Sequence, residues 1–138
     1  MAANVIDRAA LRQGASVSLL FAVPPSLLAR LLDEDSGSGS ARGLLWLVAL
    51  GGFTLGAGVA AWIQRTGYPL LHGLVCAGAT YLVAQVVFVA IKLVRGGDVN
   101  WFGIMFTLSV VMVAGLVGGA LGSMLQRRGI MPSSRRSR

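Results

Sequence analysis

"AGLVGGALGSMLQRRG", residues 114–129, carries five glycines, four of them (Gly115, Gly118, Gly119 and Gly122) inside a run that otherwise reads as helix. In a water-exposed helix each glycine costs about 1 kcal/mol relative to alanine. The same residues suit a helix in lipid, where apolar surface gives no driving force between helices and association depends on close approach of backbones. Gly115, Gly119 and Ser123 recur every four residues, as do Ala114, Gly118 and Gly122. Positions four apart share a helical face, so the run presents two adjacent smooth strips. Upstream, Gly52 and Gly56 repeat the device, with Gly51 and Gly58 one heptad apart. The expectation is an interface between these two helices, or between subunits.

The rest of the chain agrees with lipid as the solvent. Of its 138 residues 55% are hydrophobic and 12% charged, and mean hydropathy is +0.74, whereas soluble domains carry about 25% charged residues. Four apolar blocks, at about 14–32, 43–63, 70–94 and 101–125, each match the roughly 20 residues needed to cross a hydrocarbon core. Trp46, Trp62 and Trp101 fall near block ends, where indole rings favour the headgroup level. The fold class expected is all-α: an integral membrane four-helix bundle with glycine-rich second and fourth helices. Residues 1–13 form a cytoplasmic N-terminal segment, 14–126 the transmembrane domain and 127–138 a basic cytoplasmic tail.

The first block carries Pro24 and Pro25 and reads as a kinked span, since membrane helices tolerate proline where neighbours satisfy the freed carbonyls. A signal peptide is the competing reading, with Arg8 and Arg12 ahead of the block. The block is long for an h-region, and no small-x-small cleavage site follows closely. "DEDSGSGSAR", residues 33–42, reads as a solvent loop, while "QRTGYP" and "RGGDVN" are short turns that force antiparallel neighbours.

Four spans put both termini on the side of Arg65, together with Arg8, Arg12, Arg127, Arg128, Arg135, Arg136 and Arg138. Arg30, Arg42, Lys92 and Arg95 lie opposite. The positive-inside rule makes both termini cytoplasmic, in a multi-pass protein of the cell inner membrane. The net charge of +7 reads as this fringe, because five of the twelve basic residues occupy the last twelve positions. Arg127, Arg128, Arg135, Arg136 and Arg138 are assigned to anionic lipid headgroups, and no nucleic acid is expected as a partner.

"WIQRTGYP" at 62–69 resembles "MLQRRGIMP" at 124–132, and the same spacing aligns Gly56 with Gly118 and Arg30 with Lys92. Such an echo is what duplication of a helical hairpin leaves. The glycine-rich second span, "GYPLLHGLVCAGATYL" opening the third and "AGLVGGALGSML" closing the fourth also resemble the YrzE-like family of small four-helix bacterial membrane proteins, over most of residues 43–126. The resemblance implies a bacterial inner-membrane bundle with no established biochemical role. The acidic loop and arginine-rich tail are not carried over from that family.

Polar groups deep in a span are where function is sought first. Gln85, Thr54 and Thr80 form the candidate intramembrane polar site, with Thr107 and Ser109 as further mid-span residues, and no Asp or Glu falls inside a span. Proton-coupled efflux, which needs an ionisable group in the membrane, is disfavoured. His72 and Cys76 share a helical face, yet zinc needs further ligands and a catalytic pair an orienting third group. They read as an interfacial histidine and a packing cysteine. The single cysteine excludes an internal disulfide. No catalytic residue, metal site or cofactor is expected. The functional expectation is a structural or accessory subunit, partnered by a second copy or a larger membrane complex. The alternative is an oligomeric channel or transporter subunit, for which Gln85 and the threonines must converge on one lumen.

Overall fold

The computed structural model describes residues 5–31 and 39–132, and these form four α-helices with no strand. They are α1 (Arg8–Leu31), α2 (Gly39–Ile63), α3 (Pro69–Val94) and α4 (Trp101–Arg127). Helices α2, α3 and α4 are long and apolar enough to cross a membrane. Helix α1, the first of the four expected spans, is less apolar than these three. Helix α1 differs because Arg8, Arg12, Gln13 and three serines lie within it, lowering its hydropathy below that of its neighbours.

Helix α1 begins ahead of its apolar block, so residues 8–13 of the expected N-terminal segment are helical. The Asp7 carboxylate accepts from the Ala9 and Ala10 N–H groups at 3.1 and 3.2 Å, satisfying donors that every helix start leaves orphaned. The helix continues through Pro24 and Pro25. Pro25 has no N–H for the Phe21 carbonyl four residues earlier. That stretch lies against Gly52, where an added Cβ would stand 2.7 Å from Ala22 N and 2.9 Å from Phe21 O. Glycine therefore lets α2 sit directly against the proline-interrupted part of α1.

The solvent loop expected over 33–42 also needs correction, since Gly39–Arg42 form the first turn of α2. Its residues 33–38 lie outside the described residues, as do Arg135, Arg136 and Arg138 of the tail. The other ends follow local chemistry. Pro69 opens α3, where its fixed φ and missing N–H cost nothing. Asn100 caps α4 by accepting from Gly103 N–H at 2.9 Å. The chain leaves α2 and α4 through Gly67 (φ 83°) and Gly129 (φ 72°), a left-handed backbone that glycine alone adopts without strain.

Helix α2 is the hub, packing on all three others, while α3 touches both α1 and α4. Asp7 N–H donates to His72 Nε2 at 2.8 Å, and Trp62 Nε1–H donates to Ile130 O at 2.6 Å. The start of α1, the end of α2, the start of α3 and the end of α4 thus share one end of the bundle. Successive helices run antiparallel, and α2 and α4 run in the same direction.

The side chains are sorted inside out compared with a soluble bundle. The core is mostly small, with Ala22, Ala49, Ala57 and Ala77 around Phe53, Tyr81 and Val111. Large apolar residues point outward: Val94 is 89% exposed, Phe102 81% and Leu20 69%. An apolar surface this extensive is a liability in water. In lipid it costs nothing, and the small core lets the backbones meet.

Candidate functional site

The glycines divide among three seams. Gly52 and Gly56 receive α1: a Cβ at Gly56 would stand 2.5 Å from Gly14 O and collide with the Ser18 hydroxyl. Gly118 and Gly122 receive α2, with added Cβ atoms 2.8 Å from Ala57 Cβ and 2.5 Å from Gly58 O respectively. Gly115 and Gly119 receive α3: their added Cβ atoms would lie 2.8 Å from Ala77 Cβ and 3.1 Å from Leu70 Cα. The two strips on α4 thus serve two partners at once. On α2 it is Gly58, not Gly52 or Gly56, that meets α4. The repeat seen in sequence breaks here, because Gly56 and Gly118 occupy equivalent positions but face α1 and α2.

Ser18 sits fully buried in the α1–α2 seam beside Cys76, and its hydroxyl meets no partner at hydrogen-bonding geometry among the described residues. A buried polar group without a partner is destabilising. Ser18→Ala is expected to raise stability by about 1 kcal/mol, read as a higher thermal midpoint in detergent. A drop of similar size would mean that the hydroxyl is bonded.

A polar knot ties the shared end. Gln64 Oε1 accepts from Thr66 N–H at 2.8 Å, Thr66 Oγ1 at 3.0 Å and Gly67 N–H at 2.9 Å. Gln126 Nε2 donates to Trp62 O at 2.8 Å and Gln64 O at 3.1 Å. Gln64 Nε2 points to Gln126 Oε1 at 3.4 Å. These two glutamines are the residues that the "QR" echo aligns, and they touch. Their motif was visible in sequence, but nothing there marked them as the fastening between α2 and α4.

His72 completes this end from α3. It is 1% exposed, in the first turn of its helix and covered by its neighbours. Because Nε2 accepts from Asp7 N–H, the ring proton resides on Nδ1, which donates to Tyr68 O at 2.8 Å. Both ring nitrogens hold backbone, and neither is free for a metal. Cys76, a turn further on, directs its thiol to Gly56 O at 3.7 Å. Among the described residues no cluster of three metal-ligating side chains occurs.

The intramembrane polar candidates do not converge. Gln85 lies at the opposite end, in a cavity of about 190 Å³ walled by Trp46, Tyr81, Phe88 and Ile104 with Lys92 and Asn100 beside it. Tyr81 packs edge-on against Phe53 at 6.2 Å and donates its hydroxyl to Ile104 O at 3.1 Å. Thr107 shares this cavity but donates to Gly103 O of its own helix. Thr54 donates to Leu50 O and borders a different groove, on the α2–α4 side. Thr80 is buried beside Cys76. Gln85 and Thr107 come together, while Thr54 and Thr80 each go elsewhere.

Arg8, Arg12, Arg65, Arg127 and Arg128 sit at the end that joins the start of α1 to the end of α4, and Arg42, Lys92 and Arg95 belong to the other. These features define a class: an all-helical bundle with three membrane-capable helices, a small-residue core and a basic end. No protein-family model, curated protein or solved structure matches the chain, and nothing in those comparisons bears on the YrzE-like resemblance.

Proposed function

We propose that this chain is a small non-enzymatic multi-pass protein of the bacterial inner membrane, acting as a structural or accessory subunit. In this reading α1 also crosses the bilayer, seated in the Gly52–Gly56 groove of α2 with Leu19, Phe21 and Leu28 toward lipid. Both termini lie in the cytoplasm, because the end carrying Arg65, Arg127 and Arg128 is the more basic. The observation that carries the reading is the pairing of glycine seams with an apolar exterior. The divergence of Gln85, Thr54 and Thr80 speaks against a conducting path, which requires polar groups on one lumen.

Reconstituted into liposomes, the protein is expected to produce no ion or small-solute flux above protein-free vesicles. Flux that scales with protein density would overturn the structural reading in favour of an oligomeric channel or transporter subunit.

A further inference from the structure

The outer side of the α2–α4 crossing holds a groove of about 460 Å³ that the glycine seam leaves open. Its floor is backbone, at Gly58 and Gly122, and its walls are Leu55, Val59, Leu121 and Leu125. Trp62 and Arg128 stand at one end. We propose that this groove holds one acyl chain of an anionic glycerophospholipid, with the lipid phosphate against the Arg128 guanidinium. The proposal rests on the membrane-bundle reading above and deepens it from a general headgroup contact to a defined lipid site.

Length is the first argument. The groove runs along α2 from Thr54 to Trp62, eight residues or about 12 Å at the helical rise. One leaflet of a hydrocarbon core about 30 Å thick is roughly 15 Å deep. The groove therefore starts at the headgroup level, marked by the indole and the guanidinium, and ends near the bilayer midplane. An acyl chain has this shape and chemistry, and a backbone floor lets it lie closer than the neighbouring side chains allow.

Charge is the second argument. The Thr54 hydroxyl and the Trp62 indole N–H are already bonded to Leu50 O and Ile130 O. The Trp62–Ile130 bond also holds the chain after α4 over the end of α2, which keeps Arg128 at the mouth. Among the described residues no side-chain bond or ion pair engages the Arg128 guanidinium, so its donors are available to a phosphate. A second copy of the chain fits less well. The described carboxylates are Asp7, bonded to the first turn of α1, and Asp98, at the far end of the bundle. From a copy with the same membrane orientation Asp98 would stand at the opposite face of the bilayer from Arg128, and Asp7, though at the same level, is already engaged by its own helix.

Quenching by brominated lipids tests the proposal. Trp46→Phe with Trp101→Phe leaves Trp62 as the one tryptophan, and the full chain is reconstituted with phosphatidylglycerol or phosphatidylcholine brominated on the acyl chain. Competition between the two is expected to favour phosphatidylglycerol about fivefold at Trp62, the ratio expected for one basic group near an anionic headgroup. Arg128→Gln is expected to bring the ratio close to one. Arg95→Gln should leave it unchanged, because Arg95 follows α3 at the opposite end of the bundle and does not border the groove. Val59→Phe, which fills the groove, should weaken quenching by both lipids.

Equal competition in the parent, a preference that survives Arg128→Gln, or an equal loss in both arginine variants would overturn the lipid site. So would quenching that Val59→Phe leaves unchanged. Failure of either brominated lipid to quench Trp62 at all would instead overturn the membrane reading itself.

Discussion

Gly118→Leu is expected to abolish the bundle, whereas Gly51→Leu is expected to leave it intact. A side chain at Gly118 would have its first atom 2.8 Å from Ala57 Cβ and 2.9 Å from Gly58 N, besides meeting Thr54 O. Two of these three obstacles are backbone of α2 and cannot change rotamer. Overpacking a flexible core costs about 1–3 kcal/mol, and a collision with backbone lies at or beyond the top of that range. Separation of α2 from α4 would also undo the Gln64–Gln126 knot and the Trp62–Ile130 bond, because all depend on the same approach.

Gly51 is the control. It lies on α2 directly before Gly52, yet a Cβ there meets nothing within 4 Å. Leucine at this position would face outward, where Leu47 and Leu55 already point, and it is the better helix former. The change should stay within about 0.5 kcal/mol of the parent. Folded yield, size and thermal midpoint in detergent measure both variants. Equal behaviour would mean that the glycine seams do not hold the helices together.

His72→Ala is the second large effect, and it acts on α1. The imidazole is buried and bonded to backbone at both nitrogens, so alanine opens a cavity and removes the acceptor for Asp7 N–H. The lost packing and hydrogen bonding together amount to about 2–3 kcal/mol. The loss is local, because His72 joins the starts of α1 and α3 while the α2–α4 seam does not involve it. Hydrogen–deuterium exchange over residues 8–18 should accelerate about thirtyfold or more, the factor that 2 kcal/mol implies, with α4 unchanged. Unaltered protection of α1 would show that the Gly14–Gly56 contact holds it without His72.

Much of this architecture was legible because hydropathy is a one-dimensional property. Long apolar blocks at 43–63, 70–94 and 101–125 have few alternatives to membrane-length helices, since backbone groups in lipid must bond within their own segment. The regions that misled carry weak local signals. Gly39–Arg42 looks like linker by composition, yet it forms the first turn of α2. Arg8–Gln13 looks like a flank, yet Asp7 caps it into α1.

The candidate site was less legible. Gln85, Thr54 and Thr80 were selected by depth alone, and depth says nothing about direction. Thr54 is bonded to its own helix and borders the α2–α4 groove, Thr80 is buried beside Cys76, and Gln85 lines the aromatic cavity at the far end. Gln64 and Gln126 sit at helix ends and so escaped a search for polar groups in mid-span. Their importance follows from a contact across 62 residues of sequence.

The sequence by itself determined the number of helices, their antiparallel order, the placement of small residues at four-residue intervals and the choice of lipid as solvent. Each of these depends on the composition or period of a single segment. Tertiary structure alone decided which face meets which helix: Gly52 and not Gly51 against α1, Gly58 against Gly118, and Gly115 with Gly119 against α3. A helix's rotation about its own axis has no local determinant, because in lipid it is set by the closest packing that all four helices can reach together.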